Sequence, residues 1–284
     1  MNIKITLLLL LALLSVSTSP IVGKILEGVS AISISFWRML IGSLVLWLFS
    51  IIKNQGSMKL KQNLYRTIIA GVFLGIHFIL FFTAVKLTFI ANATFLGTLA
   101  PLFTLMFEVF YFKRVYRLKI IIGLLITLFG AFIILFNGFD LSGNYSLGNY
   151  CALLCSAVIA VSLLIGEKVR KNENTIVYTR TLYLSAAATL FILSLLMNQS
   201  LLDFNVNDLY WLIFLGLVPT IIGHNSIYYA IKYVSPTVVS TFPIGEPVLA
   251  TILAYFIFGE VIGINIVLGG IFTIIGLIFI SSKK

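Results

Sequence analysis

Residues 84–112 read AVKLTFIANATFLGTLAPLFTLMFEVFYF, and residues 230–258 read AIKYVSPTVVSTFPIGEPVLATILAYFIF. A shift of 146 lays one on the other, pairing Ala84 with Ala230, Lys86 with Lys232, Pro101 with Pro247, Phe110 with Phe256 and Phe112 with Phe258. It continues without a gap through Ile120 on Ile266, Gly123 on Gly269, Thr127 on Thr273, Gly130 on Gly276 and Ile134 on Ile280. Apolar residues match easily by chance, but Pro, Lys and Gly do not, so the agreement marks an internal repeat. The earlier segments align with a slightly smaller shift: Phe36-Trp37-Arg38-Met39-Leu40 resembles Tyr178-Thr179-Arg180-Thr181-Leu182.

The repeat sits in a chain built for lipid. Of 284 residues, 60% are hydrophobic and 10% charged, and the mean hydropathy is +1.12. So few polar side chains cannot cover a soluble domain of this size. The net charge of +10 is spread over short loops rather than gathered on one solvated face, which excludes a nucleic-acid footprint. Cys151 and Cys155 lie four apart in one apolar run and read as packing residues, not as a disulfide framework.

A bilayer core about 30 Å thick takes about 20 apolar residues per helix. Ten such runs are expected: 5–22, 32–52, 67–85, 89–112, 120–136, 147–165, 176–197, 209–231, 236–258 and 263–280. The first, with Lys4 before it and Ser15 to Ser19 after, has the outline of a cleaved signal. Its removal would break the repeat, so it is kept as a span. Assigning loops alternately to two sides puts fifteen basic residues on one side and only Lys24 and Lys86 on the other. Cationic loops resist translocation, so both termini are expected in the cytoplasm of a multi-pass protein of the cell inner membrane. The longest loops, 53–66 and 137–146, are too short to hold a domain. The expected fold is therefore all-α, ten transmembrane helices in two units, residues 1–146 and 147–284. Five spans per unit is odd, so the second copy is inverted. Inverted repeats enclose a midplane site that can be exposed to either side in turn, which argues transport.

These residues resemble a known family. Ala84-Val85-Lys86, Ala91-Asn92-Ala93-Thr94-Phe95-Leu96 and Pro101-Leu102-Phe103 in the first half carry the resemblance. In the second half Tyr228-Tyr229-Ala230-Ile231-Lys232, Glu246-Pro247-Val248-Leu249-Ala250 and Phe258-Gly259-Glu260 carry it. The chain resembles a ten-helix member of the drug/metabolite transporter superfamily, EamA type. The family's usual Gly-Glu pair at the end of span four is Lys113-Arg114 here. The resemblance implies secondary transport, commonly export of amino acids or other small metabolites, with a cavity lined largely by spans three, four, eight and nine.

Polar residues deep in a span mark candidate sites because lipid cannot solvate them. Glu246, about ten residues into span nine, is the foremost; Pro247 after it frees a carbonyl in the preceding turn, so a bent polar segment is expected at midplane depth. The functional reading is recognition of a substrate amine or coupling to a proton; the structural one is a protonated carboxyl holding the bend. Thr220, His224 and Tyr228 at i, i+4 and i+8 share a helical face, with Asn225 beside them. His77 in span three, and Thr94, Thr98 and Pro101 in span four, complete the expected substrate contacts. Glu108 near the end of that span reads as an ion-paired headgroup residue. Arg38 and Arg180, at related places in the repeat, are gate candidates, with snorkelling to the interface the preferred alternative. Lys86 and Lys232 read as interfacial anchors. Gly123, Gly130, Gly269 and Gly276 suggest close helix contacts, within one chain or at a homodimer face. The two histidines lack metal-ligand spacing, no phosphate-binding loop is present, and no constellation for catalysis converges. Neither metal, cofactor nor enzyme activity is therefore expected. The expected partners are a small-molecule substrate, membrane lipid and, as coupling ion, the proton. An uncoupled facilitator or channel is the alternative to a secondary transporter.

Overall fold

The computed structural model describes residues 1–135, 145–258 and 263–281 and, among them, contains helices and no strands. The helices are α1 (Ile3–Ile25), α2 (Ala31–Ile52), α3 (Lys61–Leu87), α4 (Ile90–Tyr111), α5 (Leu118–Leu135), α6 (Ser146–Arg170), α7 (Thr175–Leu196), α8 (Val206–Ala230), α9 (Pro236–Ile257) and α10 (Ile264–Ser281). Nine of them are long and apolar enough to cross a bilayer; in α5 the apolar stretch among the described residues is the shorter Leu118–Ile133. The expected end of that span at Phe136, most of the loop 137–146 and the Gly259-Glu260 pair lie outside the described residues.

Local chemistry sets the helix starts. The Ser30 and Asn174 side chains accept from the backbone N–H groups of Ser33 (3.2 Å) and Ile176 (2.8 Å), satisfying donors that a first helical turn leaves free. Ser235 does the same for Val238 (3.4 Å), with Pro236 at the first helical position, where a missing N–H costs nothing.

In lipid the hydrophobic effect does not drive helices together, so small residues and side-chain hydrogen bonds must. The tightest crossing pairs α5 with α10. A Cβ at Gly130 would stand 2.5 Å from the Gly269 carbonyl oxygen, and one at Gly276 would stand 2.6 Å from that of Gly123. The two helices run antiparallel: Gly130 meets Gly269 and Gly123 meets Gly276, whereas the 146 shift equates Gly123 with Gly269 and Gly130 with Gly276. These glycines are therefore used within one chain and leave no argument for a dimer face. Elsewhere Ser162 donates to the Ala70 carbonyl (3.0 Å), Ser43 to that of Arg180 (2.9 Å) and Ser185 to that of Ile68 (2.8 Å), fastening α6 to α3, α7 to α2 and α7 to α3. α3 packs on α6 and α7, α8 on α1 and α2, and α4 on α9; each contact has a counterpart when the halves are exchanged.

Besides a one-residue turn at Ser17 in α1, three helices are broken in mid-course. α4 stops at Gly97 and resumes at Ala100-Pro101, then widens into a π-turn over Phe107–Tyr111. α8 is a π-helix over Gly216–His224 around Pro219. α9 tightens to a 3₁₀ turn over Phe242–Gly245 before Glu246-Pro247. Irregular backbone at membrane depth is tolerated where it is buried in protein or lines a cavity, and all three breaks surround one.

Candidate functional site

The breaks in α4, α8 and α9 enclose, with α1, α2, α3 and α6, a cavity with about 70 Å³ of room for water-sized molecules. Five of the residues expected from the sequence line it: Arg38, His77, Thr98, His224 and Glu246. Ser19, Phe78, Phe81 and Ser240 are polar or aromatic wall residues that sequence reasoning missed. Ser19 and Ser240 carry no signal distinguishing them from the many serines of a polytopic protein. Phe78 and Phe81 follow His77 in α3 and could have been found as its neighbours on that helix.

Glu246 begins the last segment of α9, is 6% exposed, and makes no hydrogen bond or ion pair among the described residues. Its backbone follows the 3₁₀ turn, which swings the carboxylate into the cavity while Pro247 is buried behind it. The residue the repeat equates with Glu246 is Ala100, which also lines the cavity just before its own proline, Pro101. The two prolines thus shape the breaks, and the residues preceding them face the interior; neither Pro101 nor Pro247 is in the lining.

Arg38 does not snorkel. It is 1% exposed, donating from Nε to Thr220 Oγ1 (2.9 Å) and from Nη1 to Ser19 Oγ (3.0 Å), with its guanidinium 4.2 Å from the centre of the Phe78 ring. Stacking and two fixed bonds aim the planar fork and leave Nη2 without a hydrogen-bond partner among the described residues. Arg38 and Glu246 face the same cavity but do not pair with each other.

The two histidines complete this wall. His77 Nδ1 donates to the Cys155 carbonyl (2.9 Å); a carbonyl can only accept, so the proton is on Nδ1, and in the neutral ring Nε2 is an acceptor. His224 meets the edge of Phe78 at 5.1 Å.

The rest of the expected face of α8 disperses. An α-helical period would align Thr220, His224 and Tyr228, but the π-helix changes the period between them. Thr220 instead receives Arg38 and donates to the Leu215 carbonyl (2.8 Å). Tyr228 is fully buried, its hydroxyl 3.3 Å from Ser162 and its ring 5.5 Å from Tyr178. Asn225 accepts from Thr179 (2.8 Å). Thr94 spends its hydroxyl on the Ile90 and Ala91 carbonyls (2.8 and 3.1 Å). Arg180 lies away from the cavity: it donates to Ser50 and to the Gln55 and Gly56 carbonyls (3.3 and 2.7 Å) and stacks 4.1 Å from Trp47, fastening α7 to the 53–60 connection.

Glu108 is fully buried within the protein, and it forms the ion pair with Arg114 expected from the sequence. Lys113 takes a left-handed φ of 54°, which folds the chain back so that Arg114 pairs with Glu108 and, through Nη2, with both oxygens of Glu167 (2.8 and 2.7 Å). Tyr116 donates to Glu108 Oε2 (2.6 Å). Burial, together with that hydrogen bond, pushes the Tyr116 hydroxyl up to about 12. Arg170, placed in a loop by the sequence, ends α6 almost wholly buried and donates to the Tyr228 carbonyl (3.0 Å) and Thr175 (2.5 Å). Among the described residues no group of three or more metal-ligating side chains converges.

A central cavity among broken apolar helices is the architecture that comparison with known proteins identifies. Residues 3–136 and 146–282 both match the EamA-like transporter family. The chain belongs to that family. This EamA-like transporter is 28% identical over 291 residues to a protein named an uncharacterized transporter from Clostridium kluyveri, covering 97% of this chain and 93% of that one. It is 24% identical over 270 residues to the uncharacterized transporter YdfC of Bacillus subtilis, covering 94% and 87%. It is 23% identical over 279 residues to the pseudopaline exporter CntI of Pseudomonas aeruginosa, covering 97% and 96%. A crystal structure superposes on 99% of the EamA-like transporter and 97% of its own chain with a TM-score of 0.82 at 19% identity, a shared fold. The EamA-like transporter is thus a multi-pass membrane protein of a family that moves small molecules, and its named relatives are transporters rather than enzymes.

Proposed function

We propose that the protein is a secondary transporter exporting small metabolites such as amino acids across the cell inner membrane. Residues 1–146 and 147–284 act as two inverted five-helix repeats, both termini are cytoplasmic, and the cavity opens to either side in turn. One observation carries this reading: Glu246 and Arg38 face one cavity with a carboxylate and a guanidinium edge that have no hydrogen-bond partner among the described residues. Buried charges without partners are costly, and a zwitterion offers each the group it lacks, an ammonium for Glu246 and a carboxylate for the arginine fork. The exchange symmetry of the helix contacts and the antiparallel meeting of α5 with α10 support the inverted repeat. That one relative is named an exporter supports the direction. A proton taken up by Glu246 when the cavity is empty is the proposed coupling step.

The test is flux from proteoliposomes preloaded with candidate amino acids, chosen from metabolites that accumulate in cells lacking the gene. Flux should rise with an opposing proton gradient and fall in Glu246→Gln at equal membrane abundance. Flux indifferent to the gradient would make the protein a facilitator; wild-type flux in Glu246→Gln across a range of pH would remove Glu246 from the mechanism.

A further inference from the structure

On the basic side of the cavity its polar wall continues as a ladder between α4 and α9. Ser240, in the lining, lies 3.3 Å from Thr104 Oγ1, and Thr237 one turn away lies 3.1 Å from the same oxygen. Thr237 then donates its backbone N–H to Glu108 Oε2 (3.0 Å), and its hydroxyl reaches that oxygen too. Glu108 is in turn held by Arg114, which forks onto Glu167 of α6. The rungs therefore join α4, α6 and α9 between the cavity and the basic residues Lys113 after α4, Lys168 in the last turn of α6 and Lys171 after it.

At the opposite end of the same helix pair the described residues show Thr88 donating to Asn149 of α6 (2.9 Å) and Asn92 to Thr88 (3.4 Å), and no hydrogen-bonded ladder from α4 to α9. The 146 shift equates Thr104 with Ala250, Glu108 with Ala254 and Thr237 with Ala91. Three polar positions of the ladder thus become alanine at the repeat-related positions, and alanine carries no side-chain donor or acceptor. The two ends of the helix pair thus differ in the described hydrogen bonds that hold α4 to α9.

We infer that the Arg114–Glu108–Glu167 cluster is a latch that closes the cavity toward the cytoplasm and biases the resting transporter toward that closed state. Arg114 is a positioning residue in this scheme: it touches no substrate and sets the balance between the two exposed states. The inference rests on the alternating-access reading above, but it concerns accessibility and is tested without substrate.

The probe is Ile159→Cys in the cavity wall, in a background with Cys151 and Cys155 replaced by alanine. A membrane-impermeant maleimide is applied to inverted and to right-side-out vesicles. Arg114→Gln should raise labelling from the cytoplasmic face about tenfold, the shift expected for loss of a partly exposed ion pair that favours one of two states. Labelling from the opposite face should fall. Arg114→Lys, which keeps the charge but loses the fork, should lie between, and serves where the glutamine variant does not insert. A disulfide between Thr104→Cys and Thr237→Cys should abolish cytoplasmic labelling until it is reduced. Labelling unchanged in both Arg114 variants overturns the latch, and a rise confined to the opposite face overturns its side. Absence of proton-driven flux with labelling as expected would count against the transport reading instead.

Discussion

Glu246 and Glu108 are both buried carboxylates in broken helices, and their surroundings are opposite. Glu108 is saturated: an arginine, a tyrosine hydroxyl, a backbone N–H and a threonine hydroxyl converge on its two oxygens. Among the described residues Glu246 has no such partner and looks into the cavity that Arg38 also lines, where Nη2 of Arg38 has no hydrogen-bond partner either. A carboxylate whose bonds are all made inside the protein contributes to holding helices together. One left unpaired at the centre of a membrane protein costs stability, and its retention is explained by a ligand that completes it. The repeat-related arginines tell the same story, since Arg38 points into the cavity while Arg180 closes the 53–60 connection.

The largest effect should fall on Glu246. Glu246→Gln keeps size and hydrogen-bonding capacity but not charge, so transport should drop at least about tenfold, the loss of one charged hydrogen bond, with membrane abundance and melting temperature unchanged. Flux in proteoliposomes at matched protein density measures it, and a melting temperature that moves with the flux would erase the contrast with Glu108. Next come the arginines. Arg38→Lys should cut transport several-fold by losing the fork that Thr220 and Ser19 orient, whereas Arg180→Lys should change thermal stability more than flux; equal transport losses in both would break the distinction.

Glu108→Gln should reverse the pattern of Glu246→Gln. We expect about 1–3 kcal/mol of destabilisation, reduced from a fully buried pair because Arg114 is partly exposed, and a milder loss of flux. Unfolding followed by intrinsic fluorescence in detergent decides it. The smallest effect is expected for Tyr116→Phe, about 1 kcal/mol for one hydrogen bond. With the hydroxyl pKa raised by burial from 10.0 to about 12, the wild type's advantage should be level below pH 10, where the hydroxyl is protonated in both folded and unfolded chains. It should be lost as the pH rises toward 12, because the unfolded chain ionises first. An advantage that disappears between pH 6 and 9 would mean that another group holds the Glu108 cluster.

Much of this was legible from residue order. Proline, lysine and glycine recurring at a shift of 146 exposed the repeat because each is rare and costly to place in an apolar helix. Arg38, His77, Thr98, His224 and Glu246 could be picked out because polar side chains deep in a span need a reason. Thr220 and Tyr228 were grouped with His224 on a helical period that holds only in an α-helix, and the π-helix around Pro219 separates them. For Arg38 the sequence leaves a gate role beside the preferred snorkelling, because its distance from the span end allows both; its partners Thr220 and Ser19 are 182 and 19 residues away.

What the sequence by itself determined is the solvent, the helical class and the pairing of the halves, since hydropathy and repeated residue types are properties of the chain alone. Which polar residues are spent on one another and which remain free was decided by the tertiary structure. A hydrogen bond depends on ångström-scale distances between helices far apart in sequence, and on local breaks that rotate side chains out of the period the sequence implies.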